Sequence, residues 1–303
     1  RPPPFIMDRT PLHLPDLGGQ CLAYVQEVLK RGDLGTGSFV SRLETTCARL
    51  CWQRHAVALS SGTAALHLGL LALGVEPGDR VLLSDLTFIA PANAVRYCRA
   101  EPLFVDADAS WQMSVRAVTR CLEAFATDIP VILPVHILGG GCDMPTLMRA
   151  ARARRVAVLE DASQAFGTEI HGRPAGSYGD VAVLSFNANK TVGGAGGGML
   201  LTNSEGIAGR VRYLAWQARD GPGYIHQEVG YNYRMSDLQA AVILGQVERL
   251  EEILATKRAV AAAYQEALGG LDGVDFMPIP PWVAPSWWLW SLLLPSRGRQ
   301  RLQ

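Results

Sequence analysis

Lys190 follows the apolar run Val181-Ala182-Val183-Leu184 through a short connector, Ser185-Phe186-Asn187-Ala188-Asn189. The glycine-dense Gly193-Gly194-Ala195-Gly196-Gly197-Gly198 comes almost at once after it. A lysine at the mouth of a buried strand, in a loop made mostly of backbone, is open to desolvation. That lowers the amine's pKa and makes it a nucleophile toward aldehydes and ketones. A second apolar run, Val156-Ala157-Val158-Leu159, ends upstream in Glu160-Asp161-Ala162-Ser163-Gln164. A carboxylate at one strand end and a lysine beyond another is what a pyridoxal 5′-phosphate site requires. Lys190 would anchor the group, and Asp161 would pair with a protonated pyridine nitrogen. At ~3 Å and an effective dielectric of ~20 that attraction is about 5 kcal/mol before desolvation, enough to keep the ring protonated.

Further residues fit around such a ring. Ser60-Ser61-Gly62-Thr63 separates a strand pattern from a helical one. Its glycine lets the backbone approach, and the free N–H groups of the helix start can hold a phosphate. Ser185 can add a hydroxyl to the same phosphate. Gln164, one helical turn past Asp161, can bond the ring hydroxyl, and Phe88 can lie flat on the ring. Each has a plainer alternative: a helix cap for the Ser/Thr turn, an ion pair for Asp161, a core position for Phe88. His136, at the end of another strand, reads either as lining the pocket or as a satisfied structural histidine, and receives no catalytic role. The run 193–198 lacks the strand–GxGxxG–helix context of a dinucleotide loop.

These residues need a scaffold that brings several strand ends together. Strand patterns fall at 56–59, 80–84, 102–106, 129–135, 155–160, 180–186 and 198–202, with helical patterns between several of them, including 64–73, 114–126 and 145–154. The alternation predicts an α/β sheet covered on both faces. The step from 180–186 to 198–202 has no room for a helix and predicts an antiparallel neighbour. Residues 1–50 read as an arm plus a helix over 22–29. A long helical pattern runs from Ser236-Asp237 to Gly269-Gly270. The segment 274–295 then begins a smaller unit of strand character, and its run WVAPSWWLWSLLLP reads as a buried strand under aromatic cover, too short and too interrupted by Pro285 to span a membrane.

Hydrophobic residues make up 49% of the 303-residue chain and charged ones 18%, with 28 basic against 28 acidic. That balance fits a well-packed globular protein and gives no basic stripe for nucleic acid. The six cysteines form no CxxC pair. They read as buried thiols in a reducing cytoplasm, and no metal site is expected. The proline-rich start shows no signal peptide.

The order of these stretches resembles the fold type I pyridoxal-phosphate enzymes, and among them the DegT/DnrJ/EryC1/StrS sugar aminotransferases. The resemblance is carried by SSGTAALHLGLLALGVEPGDRVLLSDLTFIAPANAV (60–95), VHILGGGCDM (135–144), VAVLEDASQAFGT (156–168), GDVAVLSFNANKTVGGAGGGML (179–200) and VGYNYRMSDLQAAVILGQVERLEEI (229–253). It implies a mostly parallel seven-stranded sheet flanked by helices in a large domain (1–235). Residues 236–303 would be a connecting helix and the start of a small C-terminal α/β domain, cut short relative to family members. Lys190 matches the lysine that binds the cofactor, Asp161 the partner of the ring nitrogen, Gln164 the residue near the ring hydroxyl, and Phe88 the stacked aromatic. Gly62, Thr63 and Ser185 match phosphate ligands. Asn232 matches a residue that reaches the neighbouring subunit's phosphate, which implies a homodimer with shared active sites. The implied reaction moves an amino group from L-glutamate to a nucleotide-linked keto-sugar, with the SFNANK loop resembling members that aminate a 4-keto-6-deoxy position. Three alternatives remain at this stage: another fold type I enzyme acting on a sugar, a non-catalytic regulator that binds pyridoxal phosphate, and an inactive fragment.

Overall fold

A computed structural model describes residues 13–35, 37–125, 129–221 and 223–294. The expected arm up to residue 12 and the expected tail from residue 295 lie outside the described residues.

The first strands are β1 (His55–Leu59), β2 (Arg80–Ser84), β3 (Glu101–Val105), β4 (Val131–Leu133) and β5 (Ala157–Asp161). A two-residue hairpin follows, β6 (Glu169–Ile170) with β7 (Arg173–Pro174), and then β8 (Val181–Ser185) and β9 (Gly198–Thr202). Seven of these make one sheet in the order β1-β9-β8-β5-β4-β2-β3. β9 is antiparallel to both of its neighbours, and every other pairing is parallel. The seven strand patterns and the reversed last step are therefore present, with β4 shorter than the 129–135 pattern.

The helices are α1 (Cys21–Arg31), α2 (Ser38–Leu50), α3 (Gly62–Ala72), α4 (Ile89–Tyr97), α5 (Val115–Ala124), α6 (Met144–Arg154), α7 (Glu205–Ala215), α8 (Asp237–Val247) and α9 (Leu250–Leu268). Strand alternation sends neighbouring residues to opposite faces. Ala182, Leu184, Met199 and Leu201 join one core with residues of α2, α5, α6 and α8. Val181, Val183 and Leu200 join the other with residues of α3, α4 and α7. Both faces are covered, which is why the strands read as continuous apolar runs. α3 is apolar nearly all round and buried along most of its length, and Gly69 lets it lie close to Leu159 and Val181.

Three expectations need correction. The described part of residues 1–50 carries two helices, α1 and α2, where one was expected, because Phe39, Leu43 and Cys47 of the second line a buried face. The pattern from 236 to 268 is two helices, broken at Glu248 and Arg249, rather than one. No glycine or proline marks the break. α8 is buried on nearly all sides, beside α1 and α2, whereas α9 buries only a stripe. The two stretches thus pack differently on either side of the break. The aromatic run 282–295 is likewise not one strand, and its last residue is not described. β12 (Asp275–Phe276) pairs with β14 (Leu292–Leu293), while β13 (Val283–Ala284) pairs with β6. Between β13 and β14 the backbone is irregular, with Pro285 present and Trp287 at φ +51°.

Candidate active site

The carboxyl ends of β5 and β8 lie side by side, with Asp161 in register with Val183 and Ser185 two residues further on. In open α/β sheets ligands bind outside such strand ends. A cavity of about 270 Å³ opens here, lined by Gly62, Thr63, Phe88, Asp161, Gln164, Ser185 and Lys190 among others. Seven of the eight expected site residues therefore meet in one cavity. Asn232 does not line it. It is exposed on the segment after the antiparallel pair β10 (Arg219–Asp220) and β11 (Ile225–His226), bridged to Trp216. Phe88 is 60% exposed, so the core reading for it is wrong.

Lys190 sits in the connection between β8 and β9, and backbone hydrogen bonds hold that loop closed. Phe186 N–H donates to Gly197 O at 2.9 Å, Gly194 N–H to Phe186 O at 2.8 Å, and Lys190 N–H to Asn187 O at 2.8 Å. Gly196 and Gly197 adopt φ of +89° and +117°, which explains glycine at this reversal. α8 grips the same loop. Gln246 accepts from Gly193 N–H at 3.0 Å and donates to Gly193 O, and Gln239 donates to Ala195 O at 3.0 Å. His13 adds a contact to the Lys190 backbone. Burial pushes the Lys190 amine below the usual lysine value, and the Asp161 charge opposes this.

Asp161 is 4% exposed. Burial raises its pKa, while hydrogen bonds from Ser163, one of them from its N–H at 2.9 Å, and the Lys190 charge pull it down. Such a carboxylate gains from a cationic partner in the cavity. Gln164 accepts from Leu138 N–H at 2.7 Å through Oε1, which fixes the amide's orientation and leaves its NH₂ as the end available to a ligand. Ser61 caps α3 by accepting from Ala64 N–H at 3.1 Å. The N–H groups of Gly62 and Thr63 precede it and have no acceptor within the helix. A Cβ at Gly62 would lie 2.9 Å from Ser185 Cβ, so glycine is what lets the helix start and the Ser185 hydroxyl converge.

His136 lies under this floor, fully buried. Its Nδ1 accepts from Cys142 N–H at 3.1 Å and its Nε2 lies 2.9 Å from Glu160 Oε1. Glu160 also accepts from the N–H groups of Gly176, Tyr178 and Gly179. Both side chains are spent on structure, as expected for His136. All six cysteines are free, and among the described residues no cluster of His, Cys, Asp or Glu is suited to a metal ion. No helix among them is long and apolar enough to cross a membrane.

Sequence reasoning missed Trp288. It lines the cavity from the far end of the chain, its ring centroid 4.1 Å from Lys190 Nζ and its Nε1 donating to Asn189 O at 2.6 Å. Nothing in a run holding Trp282, Trp287, Trp288 and Trp290 distinguishes the one that reaches the lysine. Ser61, Ser163, Asn187 and Asn189 also line the cavity and were not singled out.

The cavity fits pyridoxal phosphate: a helix start and hydroxyls for a phosphate, a buried carboxylate for a ring cation, an amide NH₂, an open aromatic face, and a desolvated amine. Sheet and site together define a fold type I pyridoxal-phosphate aminotransferase. Residues 15–303 match the DegT/DnrJ/EryC1/StrS aminotransferase family, and the chain belongs to it. It is 38% identical over 268 residues to a GDP-perosamine synthase of Caulobacter vibrioides, covering 88% of this chain and 71% of that one. Among solved structures, DesV of S. venezuelae superposes with a TM-score of 0.88 at 31% identity, covering 93% of this chain and 76% of the other. NtdA of Bacillus subtilis, solved with bound cofactor PMP, gives 0.85 at 27% identity, with 93% and 65% covered.

Proposed function

We propose that the protein transfers an amino group from L-glutamate to a nucleotide-linked keto-sugar, at the 4-keto position of a 6-deoxy sugar. The observation that carries this reading is the convergence of Lys190 and Asp161 on one cavity beside the α3 phosphate cradle. A relative named for a GDP-linked product supports the nucleotide-sugar class.

Gly62, Thr63 and Ser185 would hold the cofactor phosphate, Asp161 the ring nitrogen, Gln164 the ring hydroxyl and Phe88 the ring face. Bound there, pyridoxal phosphate would keep the amino group between the two substrates and draw electrons from the carbon that loses its proton. Lys190 does the proton work. Its neutral amine would take the proton from the amine-bearing carbon of glutamate, and water would supply the keto oxygen with which glutamate leaves as 2-oxoglutarate. In the second half it delivers a proton to the sugar carbon that receives the nitrogen. Desolvation favours the neutral amine that the first transfer needs.

The working unit is read as a homodimer with shared sites. Asn232 is exposed and outside its own chain's cavity, and nearby Trp216, Tyr224, Ile225 and Val229 give the surface an apolar character suited to a partner. The cytoplasm is read as its compartment from the free cysteines. Residues 236–303 are read as a connecting helical segment and the start of a small C-terminal domain.

The test is a glutamate-dependent assay on a panel of 4-keto and 3-keto nucleotide sugars, read by mass spectrometry. Amination of 4-keto substrates is expected. Amination of 3-keto substrates alone overturns the position, and amination of none by cofactor-loaded enzyme overturns the substrate class.

A further inference from the structure

Trp288 is placed by a set of contacts that involve little else. Gly139, at φ +86°, runs so close beneath that a Cβ there would lie 2.8 Å from Trp288 N and 3.2 Å from Trp287 N. Trp287 is forced to φ +51°, an uncommon conformation for a bulky residue. Ser286 N–H bonds Gly139 O at 3.2 Å and Thr168 Oγ1 at 3.0 Å, and Lys257 Nζ donates to Trp288 O at 3.2 Å. The ring that results is 8% exposed, faces Lys190 Nζ at 4.1 Å and bonds the carbonyl of the residue before it. Backbone strain, a glycine contact and two elements distant in sequence thus converge on the placement of one indole.

We propose that Trp288 is a positioning residue for the Lys190 amine. Its face carries the ε-ammonium while its N–H holds the Asn189 carbonyl, so the segment after β13 sets where the amine rests between proton transfers. The ring face is electron-rich and attracts the cation, which favours the charged amine against the desolvation around it. Asp161, from the end of β5, acts in the same direction. Among the described residues, His13 on the N-terminal segment and Lys257 on α9 are further titratable groups beside the pair. Lys190 is therefore held between two opposed influences, burial and a π face, and can change protonation without moving far.

The inference rests on Lys190 being the reactive amine, and its test needs neither cofactor nor substrate. Lys30, Lys190 and Lys257 are the only lysines in the sequence, so each can be followed separately. The full-length chain without cofactor is labelled with trace acetic anhydride across pH and read by mass spectrometry, which gives each amine's titration midpoint. In Trp288→Leu, which keeps apolar bulk and removes the π face, the Lys190 midpoint should fall by about half a unit to one unit. Trp288→Phe keeps a smaller and weaker π face and loses the N–H, so the midpoint should fall less than in the Leu chain. An unchanged or raised midpoint in Trp288→Leu makes the indole a plain wall and overturns the proposal. So does a fall in Trp288→Phe as large as in the Leu chain. If the Leu chain does not fold, ring-fluorinated tryptophan keeps the shape and weakens the π face, and must lower the midpoint in its place. A midpoint shift with no sugar aminated leaves Trp288 in its role and sinks only the substrate reading. Amination without any shift does the reverse.

Discussion

Asp161→Asn keeps the size of the side chain and removes its charge, so it isolates the electrostatic role. The variant should fold and bind cofactor, but turnover should drop by roughly 10²–10³-fold, the cost of losing an attraction of a few kcal/mol to the ring cation. Stopped-flow rates of the glutamate half-reaction measure it, with Lys190→Ala, which should lose the visible cofactor band, as the reference for a dead site. Near-normal turnover would reduce Asp161 to an ion-pair partner. Asp161 and Ser185 were legible because each closes an apolar run, and strand ends in such a sheet converge. Lys190 was legible from its glycine-rich loop just beyond such a run, and Gly62 and Thr63 from the turn between a strand pattern and a helical one. Trp288 was not, because its contact with Lys190 depends on a positive φ at Trp287 and on β13 docking to β6, neither of which has a local signal.

At the scale of elements, α3 meets the segment 231–233 and α4 through His67. That imidazole is 3% exposed, both ring nitrogens lack a hydrogen-bond partner, and the rings of Tyr97, Tyr231 and Tyr233 surround it at 5.6, 4.9 and 6.0 Å. An unpaired buried polar group costs stability, so His67→Phe should raise the unfolding free energy at pH 7 by about 1 kcal/mol. Burial also lowers the His67 pKa from 6.5. Below about pH 6.5 the unfolded chain takes up a proton that the folded one resists, so stability falls as pH drops. The advantage of the Phe variant should therefore widen from pH 6.5 downward in urea titrations. A variant less stable than the parent would mean that one nitrogen is bonded in solution. Period and punctuation revealed the strands of the main sheet. They could not reveal the break at Glu248 and Arg249, where burial on all sides of α8 gives way to the single stripe of α9.

For the whole molecule the decisive question is whether sites are shared. If Asn232 serves the opposite cavity, Lys190→Ala and Asn232→Ala chains are each inactive alone, yet a hybrid dimer has one intact site. Equal mixing with free exchange should restore about a quarter of the parental activity, since half the dimers are hybrid. No recovery despite exchange, verified by mass-tagged subunits, would place Asn232 outside a shared site. No periodicity or spacing in a single chain points to such a role, and only the family resemblance suggested it.

The sheet order also governs how the protein comes into being. β1 ends at the turn that opens α3, and among the described residues its one neighbour in the seven-stranded sheet is β9. During synthesis β1 therefore leaves the ribosome long before the strand that hydrogen-bonds to it. Its edge of N–H and C=O groups waits unpaired, beside apolar side chains, while most of the sheet is translated, a condition that favours aggregation of nascent chains. The same late strand closes the lysine loop. One event, the insertion of β9, pairs that edge and closes the loop that carries Lys190, so the lysine is set in place only once the edge is covered.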